Sequence, residues 1–178
     1  FDQLKRPIPD ACSLNDTVKA DLEAFSYVMV TEFHKVPSLA ARKVDPDHLN
    51  LGMRYAWIHN PVQVAGCEYF DVFDINCYDF DPVPQIELTG KLVNKPVMIS
   101  EFHHGSIDAG LPLTGIKGVT NQEERGVAYR YYMEQAATSP YFLGAVHFVL
   151  NDQQILCNSG QENYNIGFVD CCQRPYDA

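Results

Sequence analysis

The sequence has no apolar run approaching the length of a membrane span, which argues against a spanning helix. It has no basic cluster and no interleaving of basic with aromatic residues. Acidic residues outnumber basic ones, giving 13 − 23 = −10. A surface of that sign repels phosphate backbones, so nucleic acid is not expected as a partner, and without a spanning run neither is a membrane. No Gly-rich turn follows an apolar run, so the phosphate cradle of a doubly wound nucleotide-binding sheet is missing. No C-x-x-C pair, internal repeat, low-complexity segment or domain linker is present. Length is also limiting. At 178 residues with 46% hydrophobic the chain can bury one core, but a complete eight-stranded (β/α) barrel typically needs about 250 residues. The first residue is Phe1 and the opening does not read as a signal peptide, so a processed, trimmed or partial chain is expected.

The six cysteines are Cys12, Cys67, Cys77, Cys157, Cys171 and Cys172. Structural thiols rank first, disulfides second and metal ligation a distant third, because adjacent residues such as Cys171 and Cys172 diverge on an extended chain.

The segment that carries most chemistry is Lys95–Gly105, KPVMISEFHHG. Pro96–Ile99 reads as a buried parallel strand, apolar on both faces. Glu101 stands where that strand leaves the core, followed by His103, His104 and Gly105. In a (β/α) barrel this end of the strand is the catalytic face, where a carboxylate can act as nucleophile or proton donor. The competing reading is a Glu that caps a helix or pairs with a surface cation. Three further segments share the design: Leu49–Trp57, Tyr69–Tyr78 and Gly144–Asp152. They end on Arg54 and Trp57, on Asn76 and Tyr78, and on Asn151 and Asp152. Four strands delivering polar groups at one end suit half of a barrel.

Between them, apolar spacing predicts a helix over 16–43, capped by Asn15 or Asp16, with His34 structural or exposed. A short crossover helix is expected over 60–66, a helix over 84–92, and another from Thr120 or Asn121 to Thr138. Residues 105–120 read as a Gly-rich loop over the active face, and 153–178 as a C-terminal tail without helix. The expected organisation is a single partial domain over 1–178.

Read together, these pieces resemble the C-terminal half of clan A glycoside hydrolases, and most of all the β-agarases of glycoside hydrolase family 50. The matching runs are 45–54 (DPDHLNLGMR), Asp71-Val72 through Ile75-Asn76-Cys77-Tyr78, Pro96 through Glu101-Phe102-His103 and Gly105, and Gln122-Glu123-Glu124-Arg125. They continue with Asp152-Gln153, 162–168 (ENYNIGF) and Pro175-Tyr176. The resemblance implies an α/β fold, strands five to eight of a (β/α)8 TIM barrel. It implies a retaining hydrolase acting on a β-linked galactose-type polysaccharide such as agarose, with Glu101 as nucleophile and Tyr78 orienting it. Arg54, Asn76, His103, His147, Asp152, Glu162 and Asn163 are the implied substrate-binding set. The implied partners are an oligo- or polysaccharide and the missing N-terminal half of the barrel, in the same polypeptide or a second chain. No cofactor and no metal are implied, and a secreted or extracellular setting is favoured.

The chain also departs from the family pattern. The acid/base Glu belongs to the fourth strand, upstream of Phe1, so its counterpart is not in this chain. His147 stands where the pattern has the tryptophan that stacks under a sugar, His104 replaces an aromatic, and Cys157-Asn158 replaces Gly-Arg. These departures keep open an alternative, an inactive structural or carbohydrate-binding descendant. His103 is read as a wall of the site, and His104 as a core or solvent residue.

Overall fold

The computed structural model describes residues 14–156 and 162–176. The expected irregular start, Cys12 and Cys157 lie outside them. The chain divides into two compact units, residues 1–48 with 58–69, and residues 49–57 with 70–178.

The first unit is built on helix α1, Asp16–Val44. Asn15 caps it through its side-chain oxygen, which accepts from the Val18 N–H at 2.9 Å. Arg42 and Lys43 sit favourably in its last turn. Two 3₁₀ turns, Pro61–Val64 and Cys67–Tyr69, replace the single crossover helix expected over 60–66. They pack on α1 at His34, whose buried Nδ1 lies 2.6 Å from the Ala65 carbonyl. Gly66 allows the approach: its φ is +81°, and a Cβ there would lie 2.9 Å from the Thr31 Cα. Elsewhere on α1, Phe25, Val28, Phe33 and Val36 are exposed.

The second unit is a parallel sheet of four strands in chain order: β1 (Arg54–Tyr55), β2 (Phe73–Asn76), β3 (Val97–Phe102) and β4 (Phe142–His147). Helix α2 (Val83–Val93) joins β2 to β3, and α3 (Gln122–Ala136) joins β3 to β4. The structure corrects several sequence-based bounds. Leu49–Trp57 yields only a two-residue strand, because its pairing with β2 is confined to Arg54 and Tyr55. The last strand starts at Phe142 and ends at His147, so Asn151 and Asp152 lie well beyond it.

Period-two alternation puts Phe73 and Ile75 of β2 against the helices and turns Asp74 and Asn76 to the opposite face. The core between sheet and helices comprises Phe73, Ile75, Ile86, Val97, Ile99, Phe102, Tyr132 and Ala136, all fully buried. Phe102 stacks parallel on Tyr132 at 4.2 Å. On α3 the buried residues Arg125, Ala128, Tyr132 and Ala136 recur at three- and four-residue steps, one face of a helix.

An irregularity in β3 sets up the site. Ile99 pairs with Ile75, while Glu101 pairs with Asn76, so Ser100 is an extra residue. This bulge resets the alternation. Ile99 and Phe102, three apart, both enter the core, and Glu101 is aimed at the other face.

Candidate active site

Glu101 is close to the C-terminal end of β3, with its side chain largely buried. Tyr78, two residues past the end of β2, donates its hydroxyl to Glu101 Oε1. Arg54 of β1 places Nη1 2.8 Å from the other carboxylate oxygen, Oε2. Two donors, one on β1 and one just past β2, therefore hold both oxygens of one carboxylate. Burial and the bond to Glu101 raise the Tyr78 pKa far above its ordinary value, so the phenol stays protonated and remains a donor. Asn76, the register partner of Glu101, ends β2 beside it, and its buried Oδ1 has no hydrogen-bond partner among the described residues. Glu162, from the C-terminal segment, accepts from Gln153 Nε2 at 2.8 Å, and its charge acts on Tyr78. Asn163 follows it, again with a buried Oδ1 that has no partner among the described residues.

His103 lies behind this group rather than in its wall. Its ring is 2% exposed, meets the Tyr78 ring edge-on at 4.7 Å, and accepts from the Ile116 N–H through Nε2. Burial, followed by the neighbouring His147 and His104, pulls its pKa down to about 4, so the ring is neutral. His104 is a core residue, stacked on Phe80 at 5.3 Å.

Two expected substrate contacts are not brought to Glu101. His147 is the register partner of Phe102, not of Glu101, so it faces α3. There it stacks on Phe168 at 4.2 Å, meets Phe102 and Tyr129, and bonds the Ile166 carbonyl through Nε2 at 2.8 Å. The pleat gives the opposite face to the next residue, Phe148, whose ring lies 6.2 Å from His103. Asp152 is buried and spent on the backbone. Its Oδ1 accepts from the N–H groups of Ile166 and Gly167 at 3.0 and 2.8 Å, and its Oδ2 accepts from the Tyr176 hydroxyl.

Two buried charged residues are not in the expected set of site residues. Asp74 is buried on the same sheet face as Asn76, and desolvation raises its pKa to about 6 against the opposing charge of Arg54. The polar alternation Asp74-x-Asn76 inside an apolar run is the signal for it. Arg125 is the second. It binds the same turn as Asp152, giving Nη2 to the carbonyls of Ile166 and Gly167 at 3.0 and 2.8 Å. Its Nε reaches the His104 carbonyl at 2.9 Å, and its Nη1 reaches Gln122 and Asn165. Sequence spacing places Arg125 one turn from Gln122 but carries no mark of burial.

Among the described residues no cluster of three or more His, Cys, Asp or Glu side chains could hold a metal ion, and no helix is long and apolar enough to cross a membrane. The four cysteines in the described segments, Cys67, Cys77, Cys171 and Cys172, are free thiols.

No family model matches the chain. It is 34% identical over 168 residues to β-agarase B of Vibrio sp. (strain JT0107), covering 92% of this chain and 18% of that protein. It is 30% identical over 171 residues to β-agarase A of the same organism, covering 89% of this chain and 17% of that protein. The crystal structure of an agarase superposes on 92% of this chain and 24% of its own, with a TM-score of 0.83 at 33% identity. The chain thus spans less than a fifth of the curated relatives it matches.

Proposed function

We propose that this chain supplies the nucleophile half of a retaining glycoside hydrolase acting on a β-linked galactose-type polysaccharide such as agarose. The carrying observation is the Glu101 carboxylate at the strand rim, gripped by Tyr78 on one oxygen and Arg54 on the other. Similarity to β-agarases supports the substrate class. In this reading Glu101 attacks the anomeric carbon to form a glycosyl-enzyme, and the leaving oxygen takes its proton from an acid outside this chain. Water then releases the sugar with retained configuration. Tyr78 and Arg54 fix which carboxylate lone pair faces the sugar. Asn76 offers a polar group beside it, and Glu162, followed by Asn163, brings charge to bear on Tyr78.

The same reading makes the second unit a four-strand portion of a (β/α)8 barrel, its C-terminal half. Four parallel strands in sequential order support this, since an open doubly wound sheet would reverse its order at a switch point. The remaining strands, in the same polypeptide or a second chain, would pair the free edges of β1 and β4. They would also cover exposed apolar groups such as Leu143 and Val146.

The test uses the intact protein that carries this chain. Glu101→Gln should abolish release of reducing ends from agarose while leaving oligosaccharide binding in place, and NMR of the first product should show the β-anomer. Undiminished hydrolysis by Glu101→Gln would refute the assignment.

A further inference from the structure

The buried ring of His103 touches two things at once. One edge packs on Tyr78, the residue that holds Glu101. Its Nε2 accepts from the Ile116 N–H at 2.9 Å, inside the 105–120 loop. That loop contains four glycines, Gly105, Gly110, Gly115 and Gly118, and no helix or named strand. Ordering it costs backbone entropy, so its conformation depends on fixed points. Its first part is tied to the C-terminal segment and α3 by Ser106 N–H to the Asn165 carbonyl at 3.2 Å, Asn165 N–H to the Leu113 carbonyl at 2.7 Å and Gln122 N–H to Asp108 Oδ2 at 3.1 Å. Its neck is closed by Gly105 N–H to the Lys117 carbonyl at 2.9 Å and Val119 N–H to the Gly105 carbonyl at 2.8 Å. Lys117 pairs with Asp79, the residue after Tyr78, at 3.1 Å. Gly115 sits against the His103 ring with φ +74°, and a Cβ at that position would overlap Nε2. Loop and ring are therefore fitted to each other at the glycine.

We infer that His103 is a positioning residue, a latch that fixes the Gly115–Ile116 stretch of the 105–120 loop to the strand rim and, through the same ring, sets the Tyr78 hydroxyl on Glu101. The inference rests on the proposed function for its catalytic meaning, and on geometry alone for the latch. Because Nε2 accepts, the ring proton is on Nδ1, and only this neutral tautomer can hold the Ile116 N–H. The ring is buried, with its contacts to Tyr78 and to the Ile116 N–H. Its buried position lets it transmit whether the loop is seated. A loop displaced from Nε2 frees the imidazole, and a free imidazole no longer defines the face on which Tyr78 rests.

The experiment combines amide hydrogen exchange, limited trypsin digestion and steady-state kinetics on the intact protein. His103→Ala should speed exchange at the Ile116 amide and open a cleavage after Lys117. It should also lower kcat on the order of tenfold with little change in KM, as expected when a catalytic group is misplaced while the sugar subsites stay intact. His103→Gln, whose amide oxygen can accept from Ile116, should restore slow exchange and part of kcat. Gly115→Ala should reproduce the His103→Ala behaviour from the loop side, and keeps the inference testable if His103→Ala does not fold. Fluorotyrosine at position 78 reports positioning without turnover: its resonance should move in His103→Ala and return in His103→Gln. Fast Ile116 exchange with unchanged kcat and an unmoved Tyr78 resonance would overturn the coupling, and unchanged exchange would overturn the latch. Should the wild type fail to cleave agarose while exchange and the Tyr78 resonance still respond, the substrate assignment falls and the latch stands.

Discussion

Replacing Arg125 by Ala should loosen the C-terminal segment that carries Glu162 and Asn163. The guanidinium makes hydrogen bonds to the carbonyls of His104, Ile166 and Gly167 and to the side-chain oxygens of Gln122 and Asn165. Not all of these groups are stranded by its removal. The Ile166 carbonyl keeps His147 Nε2, and Asn165 Oδ1 keeps Gln122 Nε2 at 3.2 Å. The His104 and Gly167 carbonyls lose a charged donor in a buried setting. Each such loss costs about 1–3 kcal/mol, which puts the total at roughly 2–6 kcal/mol. Asp152 adds to it, because it grips the same turn by its N–H groups and would be left as a buried carboxylate without the nearby cation. Local opening made easier by about 3 kcal/mol should speed amide exchange at Ile166 and Gly167 on the order of a hundredfold. Arg125→Lys, with one ammonium in place of a planar fork, should fall between wild type and Ala. Native-state hydrogen exchange in the intact protein is the assay. A change below about 1 kcal/mol at both amides would show that the network is not what holds the turn.

Tyr78→Phe removes one of the two donors on Glu101. A hydrogen bond to a charged group is worth about 1.5–3 kcal/mol, so kcat on agarose should fall roughly 10- to 100-fold with the fold retained, and an unchanged kcat would refute the orienting role. Asp74 should impose a pH dependence on stability. Its folded pKa, about 6, lies above the ordinary 3.8, so the folded state binds a proton that the unfolded chain releases. Its contribution to stability should therefore be greatest below about pH 4, fall as pH rises towards about 6, and stay low above it. Asp74→Asn should flatten that window and gain up to about 3 kcal/mol at pH 7 in denaturant titrations, and an unchanged profile would count against the buried carboxyl. His147→Trp should not improve sugar affinity, because the ring faces α3. The larger indole should instead lower stability by about 1–3 kcal/mol through crowding of Phe102, Tyr129 and Phe168, and tighter oligosaccharide binding would contradict the placement.

Local chemistry is readable from the sequence wherever one segment decides it. Asn15 before an apolar 3.6-period run and Asn121 before Glu123 and Glu124 mark helix starts through backbone N–H groups that only nearby side chains satisfy. A buried parallel strand shows as the continuous apolar run at 96–99, while 73–76 shows as an alternation in which Phe73 and Ile75 are apolar and Asp74 and Asn76 polar. A strand that leaves its core on Glu101 marks the rim, and spacing with resemblance directs attention to Glu101, Tyr78 and Arg54; that the latter two meet the two oxygens of Glu101 appears only in the structure. Tertiary structure decides what depends on the face each residue takes. The extra residue Ser100 aims Glu101 away from the core, and pairing with Phe102 turns His147 towards α3; a one-residue change in register moves a side chain to the other face, and no local pattern specifies it. Burial is likewise hidden: Arg125, Asp152 and His103 look like surface or site-wall polar groups. They are interior because backbone carbonyls and amides from residues 13 to 42 positions away in the chain come to meet them. Those partners exist only once the sheet, α3 and the C-terminal segment have come together, since a buried polar side chain is stable only where its partners are already in place.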